Sequence, residues 1–510
     1  MMLSQIKPLV VVLLFALVMF SLARPTFVRF MADSDYVRRR NVWLALTTAA
    51  FLSPSFWVYF FIAAPTMVWA GRKDSNPLAL YLMLYLLIPP MDVDIPAIGI
   101  GQVFPLNQAR LLNLTVLLPA ICTRDSEPST GRKHGATAAD ILLLAFGALH
   151  LLVFIPYESI TNTIRRAILY GIDVYIVYYA FSRLSRRPET STDALGALTL
   201  TAIILAPIGA FESIRQWLLF TGISANWGVP NEFSWLLRGD KLRAQASTGH
   251  ALGLGWLLAM GTGFWMYLRT TEPSRIRSFW VFILFTVGLF FTYSRGPWMM
   301  ATLIPLCYLA MTSRDVASFA KKILAFGLIA AIFLATPLGS DVADKLPFIG
   351  NADQDTVEYR RQLAETSWRL IQEHPLFGNP FVLLEMEELR QGQGIIDMVN
   401  GFTTIALYYG LVGLTLYVGA LLIPTLRCFS RFRLARAQGD GPVTIHSAVL
   451  IACMIGTIFY IASTGPTWFQ WALIGLMTSC TQWATTLDQT SSTWSSVNPR
   501  TGTVHAEPAA

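Results

Sequence analysis

The segment LFFTYSRGPWMMATL, residues 289–303, places a single arginine between two apolar runs. The apolar blocks on either side, 277–293 and 297–312, are each long enough for a helix that crosses most of a bilayer. Arg295 therefore lies in a short turn between two predicted spans. Two explanations follow from the residues alone. The guanidinium either reaches the lipid headgroups as an interfacial side chain, or it is held there to bind an anion.

The rest of the chain repeats this pattern of apolar blocks separated by short basic stretches. Of its 510 residues, 54% are hydrophobic and only 14% are charged. Blocks that are apolar on all sides are typical of polytopic membrane proteins and not of soluble domains. We predict an all-α integral membrane protein with about 14 spans, within a range of about 12 to 14. The net charge of +7 comes mainly from the basic connections and gives no reason to expect a nucleic-acid partner.

Lysine and arginine concentrate in alternate connections between the blocks, for example at 183–187, 269–277 and 427–436. The positive-inside rule places these connections in the cytoplasm. Residues 214–248 and 339–401 then face outward.

One block, residues 42–70, is too long for a single straight crossing and is interrupted at Ser53-Pro54. As one kinked helix, it gives a chain with both termini in the cytoplasm and the basic segment from Arg24 to Arg40 outside. As a hairpin, it moves that segment to the cytoplasm and the N-terminus outside.

The predicted organisation has four parts: N-terminal transmembrane helices (1–338), a large outward loop (339–401), C-terminal transmembrane helices (402–485) and a disordered cytoplasmic tail (486–510). The loop contains DTVEYRRQLAETSWRLIQEHPLFGNP, residues 355–380. Its first part predicts an amphipathic helix, which the proline and glycine turn then ends. Its apolar stripe consists of Tyr359, Leu363, Leu370 and Ile371.

Three motifs occur in order: TYSRGPW at 292–298, EHPLFGNP at 373–380 and VNGFTTIALYYGLVGL at 399–414. Together they resemble the O-antigen polymerase and ligase family of bacterial inner-membrane glycosyltransferases, over about residues 200–425. The resemblance implies a GT-C-like membrane fold. It also implies transfer of a glycan from an undecaprenyl pyrophosphate carrier to an acceptor sugar hydroxyl on the periplasmic side, without a metal or other cofactor.

Within that resemblance, Arg243 and Arg295 match the family's pyrophosphate-binding arginines, and Arg361 matches a further arginine before the Pro-Leu-Phe-Gly turn. A planar guanidinium binds phosphate oxygens in pairs, and it stabilises the charge of a departing pyrophosphate. His250 and Asn400 complete the predicted substrate-binding set. For His250, at the start of a span, a structural role is the simpler alternative.

Ligases of this family carry a histidine just before the asparagine that corresponds to Asn400, and this chain has Val399 there. The departure disfavours ligase activity and leaves the catalytic base open. Asp397 is the nearest titratable residue and is our candidate. Other titratable residues of the loop, for which a solvated surface role is the simpler alternative, are His374, Glu385, Glu387 and Glu388.

We therefore expect a polysaccharide polymerase for exopolysaccharide or O-antigen in the inner membrane. The alternatives are an O-antigen ligase that transfers glycan to lipid A core, and a transporter or flippase of lipid-linked oligosaccharide. A transporter is expected to hold its polar residues near the bilayer midplane, whereas here they gather at the outer face. Expected partners are the lipid-linked oligosaccharide, an acceptor glycan, the bilayer, a flippase and a chain-length regulator.

Overall fold

The computed structural model describes residues 2–97, 101–124, 135–185, 187–230, 233, 235–334, 354–391 and 394–495. Residues 339–353 of the predicted loop and 496–510 of the predicted tail lie outside these ranges. The described residues are predominantly helical, which confirms the predicted all-α membrane class. Among them, six helices are long and apolar enough to cross a membrane, at Gln5–Phe27, Ala138–Tyr157, Pro188–Arg215, Ala251–Thr271, Gly401–Gln438 and Gly441–Ser463. The total of about 14 spans stays a prediction.

The α-helices of the first part are α1 Met2–Phe27, α2 Asp33–Leu52, α3 Phe56–Lys73, α4 Pro77–Leu87, α5 Gln108–Leu112, α6 Leu118–Arg124, α7 Ala138–Phe154, α8 Ile160–Tyr170, α9 Ile176–Leu184 and α10 Pro188–Arg215. Short π-helical turns at Asn113–Leu117 and Gly171–Tyr175 join α5 to α6 and α8 to α9.

The α-helices of the second part are α11 Thr221–Trp227, α12 Ala251–Leu268, α13 Arg275–Phe291, α14 Arg295–Thr312, α15 Val316–Leu334, α16 Gln354–Glu373, α17 Gly401–Gln438, α18 Gly441–Ser463 and α19 Phe469–Ser495. Short 3₁₀ turns lie at Ile155–Tyr157, Ala246–Thr248, Arg269–Thr271 and Val382–Leu389. The helix α16 confirms the amphipathic helix predicted in the large loop.

Two small antiparallel ribbons were not predicted. Strand β1 (Asp92–Ala97) pairs with β2 (Gly101–Asn107), and β3 (Leu237–Arg238) pairs with β4 (Lys241–Leu242). Prolines interrupt the first ribbon and the second has only two residues per strand, so neither shows the period-2 alternation that signals a strand in sequence.

The centre of the bundle is formed by α10 and α12, which are buried on most of their surface, as their all-round apolar sequences require. Helix α12 also packs against α13 and α14. Gly255 allows α12 and α14 to come close together, since a Cβ at this position would lie 2.7 Å from Pro297 Cβ and 3.4 Å from Thr292 Oγ1. The start of α14, which carries Arg295, is thereby held directly against α12.

The interruption at Ser53-Pro54 is a hairpin. Helix α2 ends at Leu52 and α3 begins at Phe56, with the Ser55 hydroxyl accepting a hydrogen bond from the Val58 N–H at 3.4 Å. Pro54 disfavours continuation of α2, and the neighbouring Ser55 caps the start of α3, so both residues favour two separate helices over one kinked helix. The alternative of one kinked helix over 42–70 is therefore wrong.

The hairpin also fixes the side of the basic segment at Arg24–Arg40. The buried Arg39 guanidinium contacts Asp74 at 2.7 Å and Asp193 at 2.6 Å, residues that lie at the end of α3 and the start of α10. Gln5, near the other end of α1, lies against Gly222. The prediction that both termini lie on the cytoplasmic side is thus corrected, because the first helix runs from the side of residues 214–248 to the side of the basic connections.

We name the two ends of the bundle by residues. The basic face carries Arg39, Arg183 and Arg436, and the Arg243 face carries Arg243, Ser294 and Asn400.

We expect the Arg243 face to point away from the cytoplasm, because basic connections stay on the cytoplasmic side. Glu388→Cys should react with an impermeant maleimide in intact spheroplasts, whereas Arg433→Cys should react only after permeabilisation. Both side chains are exposed, so access alone decides labelling. Cys122, exposed at the end of α6 on the basic face, is an internal control. Labelling of Arg433→Cys but not of Glu388→Cys in intact spheroplasts would reverse the orientation.

Candidate active site

Arg243 follows strand β4 and docks on the turn that joins α13 to α14. Its Nε–H donates to the Thr292 carbonyl oxygen at 3.2 Å, and its second terminal nitrogen donates to Ser294 Oγ at 2.7 Å. The Ala244 N–H donates to the Phe291 carbonyl oxygen at 2.9 Å. Because Arg295 follows Ser294 directly, the structure brings the two predicted pyrophosphate-binding arginines onto one turn.

The hydrogen-bond partners of Arg243 are neutral oxygen atoms. Its side chain is partly buried, and this desolvation lowers the pKa of Arg243 to about 10, with the positive charge of Arg238 acting in the same direction. The guanidinium stays protonated at neutral pH, and within the described ranges its desolvation cost is not offset by a carboxylate partner. An anion bound here would be attracted by an arginine that is already fixed in place.

The turn itself is strained. Tyr293 is buried and has a φ of +46°, a left-handed conformation that is unfavourable for a residue with a side chain. The Trp298 indole N–H helps to hold it by donating to the Leu289 carbonyl oxygen at 2.6 Å. Strained backbone of this kind persists where the surroundings determine it fully, and it often accompanies functional sites.

His250 caps helix α12. Its Nδ1 accepts a hydrogen bond from the Leu252 N–H at 3.1 Å, so the proton of a neutral ring is carried by Nε2. The side chain is accessible to solvent, yet desolvation by its surroundings and the charge of Arg243 lower its pKa, while the carboxylate of Asp397 acts in the opposite direction. His250 is thus neutral at pH 7, lies within electrostatic range of Arg243 and Asp397, and can donate a hydrogen bond from Nε2.

Asp397 is positioned by Tyr359 of α16. The Tyr359 hydroxyl accepts from the Asp397 N–H at 2.9 Å and donates to the Asp397 carbonyl oxygen at 3.2 Å. These contacts use only the backbone of Asp397, and its side chain is exposed. Helix α16 in turn is anchored through buried Leu363 and Leu370. The amphipathic helix of the loop therefore fixes the position from which the Asp397 carboxylate projects.

Asn400 caps helix α17. Its Oδ1 accepts from the N–H groups of Phe402 at 2.9 Å and Thr403 at 3.2 Å. This is a structural role, and substrate binding by its amide stays a prediction.

The start of α17 is packed against the segment 461–466, which comprises the end of α18 and the turn that follows it. A Cβ at Gly401 would lie 2.8 Å from Ile461 Cγ2 and 2.9 Å from Pro466 Cδ. A Cβ at Gly296 would lie 3.5 Å from Ser463 Oγ in the same segment. The N-terminal turns of α14 and α17 therefore share a neighbour, residues 461–466.

These contacts bring the N-termini of α12, α14 and α17 to the Arg243 face, next to one another. The helix dipole gives each N-terminus a partial positive charge. Added to the charges of Arg243 and Arg295, they make this part of the bundle a favourable place for a phosphate-type anion.

Arg361 lies elsewhere on α16. It is exposed and pairs with Glu365 at 2.9 Å, one turn along the same helix. Within the part of the chain that the structure describes, no contact links it to Arg243 or Arg295, so its binding role stays a prediction. The loop acids are also engaged locally, since Glu387 pairs with Arg390 at 2.6 Å and Glu385 accepts from the Asn379 amide.

The HPLFGNP motif locks the loop to a break in α17. Helical conformation stops at Gly410, where φ is +63° and ψ is −167°. The N–H groups of Leu411 and Val412 donate to the carbonyl oxygens of Pro375 at 2.8 Å and Leu376 at 3.2 Å.

Glycine is required on both sides of this joint. Gly378 and Gly410 have positive φ, and a Cβ would lie 2.5 Å from the Leu407 carbonyl oxygen in the first case and 2.2 Å from the Leu376 carbonyl oxygen in the second. The second and third sequence motifs are thus mainly structural, since they form the two halves of one joint.

Sequence reasoning did not identify Thr292, Ser294 and Tyr359 as residues that hold the site. Ser294 lies within the TYSRGPW motif, but the sequence gives no indication that its hydroxyl contacts Arg243, which is 51 residues away. Tyr359 belongs to the apolar stripe of α16, and the sequence does not indicate that its hydroxyl contacts the backbone of Asp397.

Residues 280–418 match the model of a family described as O-antigen ligase. The matched segment includes Arg295 and Asp397, whereas Arg243 precedes it. A comparison with curated proteins gives no match. Members of the matched family are glycosyltransferase-like enzymes, and their substrates are lipid-linked glycans. The predicted resemblance is confirmed over these residues: the chain is a multi-pass membrane protein whose residues 280–418 match the O-antigen ligase family.

Proposed function

We propose that the chain is a polysaccharide polymerase that transfers a glycan from an undecaprenyl pyrophosphate carrier to an acceptor sugar hydroxyl. The observation that carries the proposal is the docking of Arg243 on the Thr292–Ser294 turn, next to Arg295 and among three helix N-termini. This arrangement suits a pyrophosphate, because its charge is large and its oxygens accept several hydrogen bonds at once.

In the proposed reaction the acceptor hydroxyl oxygen attacks the anomeric carbon of the donor sugar. The new C–O bond forms as the bond between that carbon and the pyrophosphate oxygen breaks. The electron pair leaves with the lipid pyrophosphate, and the hydroxyl proton passes to a base or to water. The charge on the leaving oxygen grows in the transition state, so fixed guanidinium groups contribute most at that moment.

His250 is suited to donate a hydrogen bond to a phosphate oxygen. Its Nδ1 already accepts from Leu252, so the neutral ring presents Nε2–H as its remaining polar group. The same hydrogen bond makes His250 a poor general base, because the nitrogen that could take a proton is occupied.

Asp397 is our candidate for the residue that takes the acceptor proton. Its carboxylate is exposed, its charge reaches His250, and its backbone is fixed by Tyr359. The proposal places acceptor and carboxylate on the side of the large loop, opposite the lipid carrier. We further propose that this face is periplasmic and that the membrane is the bacterial inner membrane.

A ligase is the second candidate, because the matched family is described by ligase activity. Val399 favours the polymerase, since it stands where ligases of the family carry a histidine. A flippase that supplies the donor and a chain-length regulator are the partners that a polymerase would need.

Arg243→Ala and Arg295→Ala should each lower turnover by about a hundred- to a thousandfold, because each removes a donor to the developing oxyanion. Arg295→Lys should recover only part of the loss, since lysine keeps the charge but not the planar pair of donors. The measurement is polymer formation from purified lipid-linked repeat units in detergent, normalised to folded protein. Arg24→Ala, which removes an exposed arginine of the basic face, is the matched control. Near-normal turnover of both alanine variants would reject the pyrophosphate site and leave Arg295 as an interfacial residue.

Asp397→Asn should lower turnover by about two to four orders of magnitude while the donor concentration for half-maximal rate changes little. The amide preserves size and the backbone contacts to Tyr359 but cannot accept the proton. Glu387→Gln is the control, because that acid of the same loop is already paired with Arg390. Wild-type rates for Asp397→Asn would show that the leaving group is good enough for the reaction to proceed without this base.

Deletion of the chain in its host should leave single repeat units on the lipid carrier, because a polymerase joins such units before export to an acceptor. Full-length chains that remain on the carrier would instead identify a ligase. Gel electrophoresis of the extracted lipid-linked glycans separates the two outcomes, and complementation with the wild-type chain is the control.

A further inference from the structure

Glu212 is a fully buried acid at the C-terminal end of α10. Its Oε1 accepts from the Leu219 N–H at 2.9 Å. Its Oε2 accepts from the N–H groups of Ala246 at 2.7 Å and Gln245 at 3.3 Å. One carboxylate therefore joins two backbone segments that leave the helical bundle, and the second segment begins at Arg243.

Neighbouring residues of α10 hold the same segment. The Ser213 hydroxyl donates to the Leu242 carbonyl oxygen at 2.6 Å, and the Gln216 side-chain oxygen accepts from the Leu242 N–H at 3.2 Å. Gly209 allows close contact, since a Cβ there would lie 3.3 Å from Ala244 Cβ. The chain on both sides of Arg243 is thus attached to the end of α10 by side-chain and backbone contacts.

Strain is concentrated in the same place. Among the described residues, the non-glycine residues with positive φ are Gln216, Ala246 and Tyr293. Gln216 and Ala246 belong to the segments that Glu212 joins, and Tyr293 lies in the turn that Arg243 contacts. A left-handed backbone conformation is unfavourable for residues other than glycine, so compensating contacts are needed to keep these three residues in it.

A carboxylate suits this position because both of its oxygens accept and neither donates. A glutamine of the same shape would turn an NH₂ group toward at least one of the three backbone donors. The chemistry of Glu212 therefore matches the backbone of residues 219 and 245–246. Contact with a substrate is not needed to explain the acid.

We propose that Glu212 is a positioning residue of the transfer reaction. It fixes the backbone after Arg243 so that the guanidinium stays on the Thr292–Ser294 turn, and it acts on the substrate only through Arg243. The inference rests on the proposed role of Arg243 in binding the donor pyrophosphate.

The test is a double-mutant cycle on turnover in detergent with purified lipid-linked repeat units, normalised to folded protein. Glu212→Gln alone should lower turnover by about 10- to 100-fold, because a displacement of about 1 Å in a catalytic group has effects of that size. The double variant Glu212→Gln with Arg243→Ala should be no slower than Arg243→Ala alone, within about threefold, because the residue that Glu212 positions is then absent. A purely structural role predicts that the two losses multiply, and that result would overturn the inference.

Asp193→Asn is the matched control, since it alters a buried acid at the opposite end of the same helix. Its turnover per folded molecule should stay close to wild type. If Glu212→Gln does not fold, Ser213→Ala replaces it in the cycle, with a smaller expected loss and the same non-additivity with Arg243→Ala.

Wild-type turnover of the folded Glu212→Gln variant, or an equal loss for Asp193→Asn, would also overturn the inference. Failure of the proposed function is distinguishable, because in that case Arg243→Ala itself keeps its activity.

Discussion

Any peptide group that leaves a helix inside an apolar bundle must find a hydrogen-bond partner within the protein, and this constraint organises the Arg243 face. Lipid offers no alternative donors or acceptors, so irregular backbone survives only where side chains or other loops satisfy it. The chain is irregular between strand β4 and helix α12, just after Arg243, and there Glu212 supplies the acceptors. It is irregular again at Gly410, and there the Pro375–Leu376 turn supplies them. Each irregular segment of the site therefore has its backbone hydrogen bonds completed by a specific partner from elsewhere in the sequence.

The two irregular segments position different residues of the candidate site. The joint at Gly410 ties the large loop to α17, and through α16 and Tyr359 it sets the place of Asp397. The segment after Arg243 sets the place of the guanidinium against the turn before Arg295. Proposed base and proposed leaving-group site thus have separate supports, which meet where α14 and α17 pack against residues 461–466. An acceptor between the two supports would lie between a carboxylate and a group of cations, as an in-line displacement requires.

Sequence could identify the class of fold and the approximate helices because hydrophobic length alone determines them. It also indicated Arg243 and Arg295 as candidates, because arginine in apolar surroundings is rare and because both stand in motifs. It could not decide between a kinked helix and a hairpin at Ser53-Pro54, since both satisfy the local sequence. The ion pairs of Arg39 with Asp74 and Asp193 show that the segment is a hairpin. These partners are 35 and 154 residues away along the chain, so the pairs cannot be predicted without the fold. The role of Glu212 could not be predicted for a related reason. It lies at the end of an apolar block, where an acidic residue is usually exposed to solvent, and only the fold shows that it is buried.

Arg39 and Arg243 show how one residue type can serve opposite purposes at the two faces. Arg39 is fully buried and meets the carboxylates of Asp74 and Asp193 in paired hydrogen bonds, so its charge is neutralised within the protein. Arg243 is partly buried and is held by a hydroxyl and a carbonyl oxygen, which orient the guanidinium but do not neutralise it. Because a desolvated and unneutralised charge costs several kcal/mol, evolution toward stability alone would place an acid beside it, as it does at Arg39. The buried acid Glu212, which contacts the segment after Arg243, instead accepts hydrogen bonds from backbone N–H groups. In the part of the chain that the structure describes, Glu212 thus orients the backbone after Arg243, and the guanidinium keeps its positive charge without a carboxylate partner.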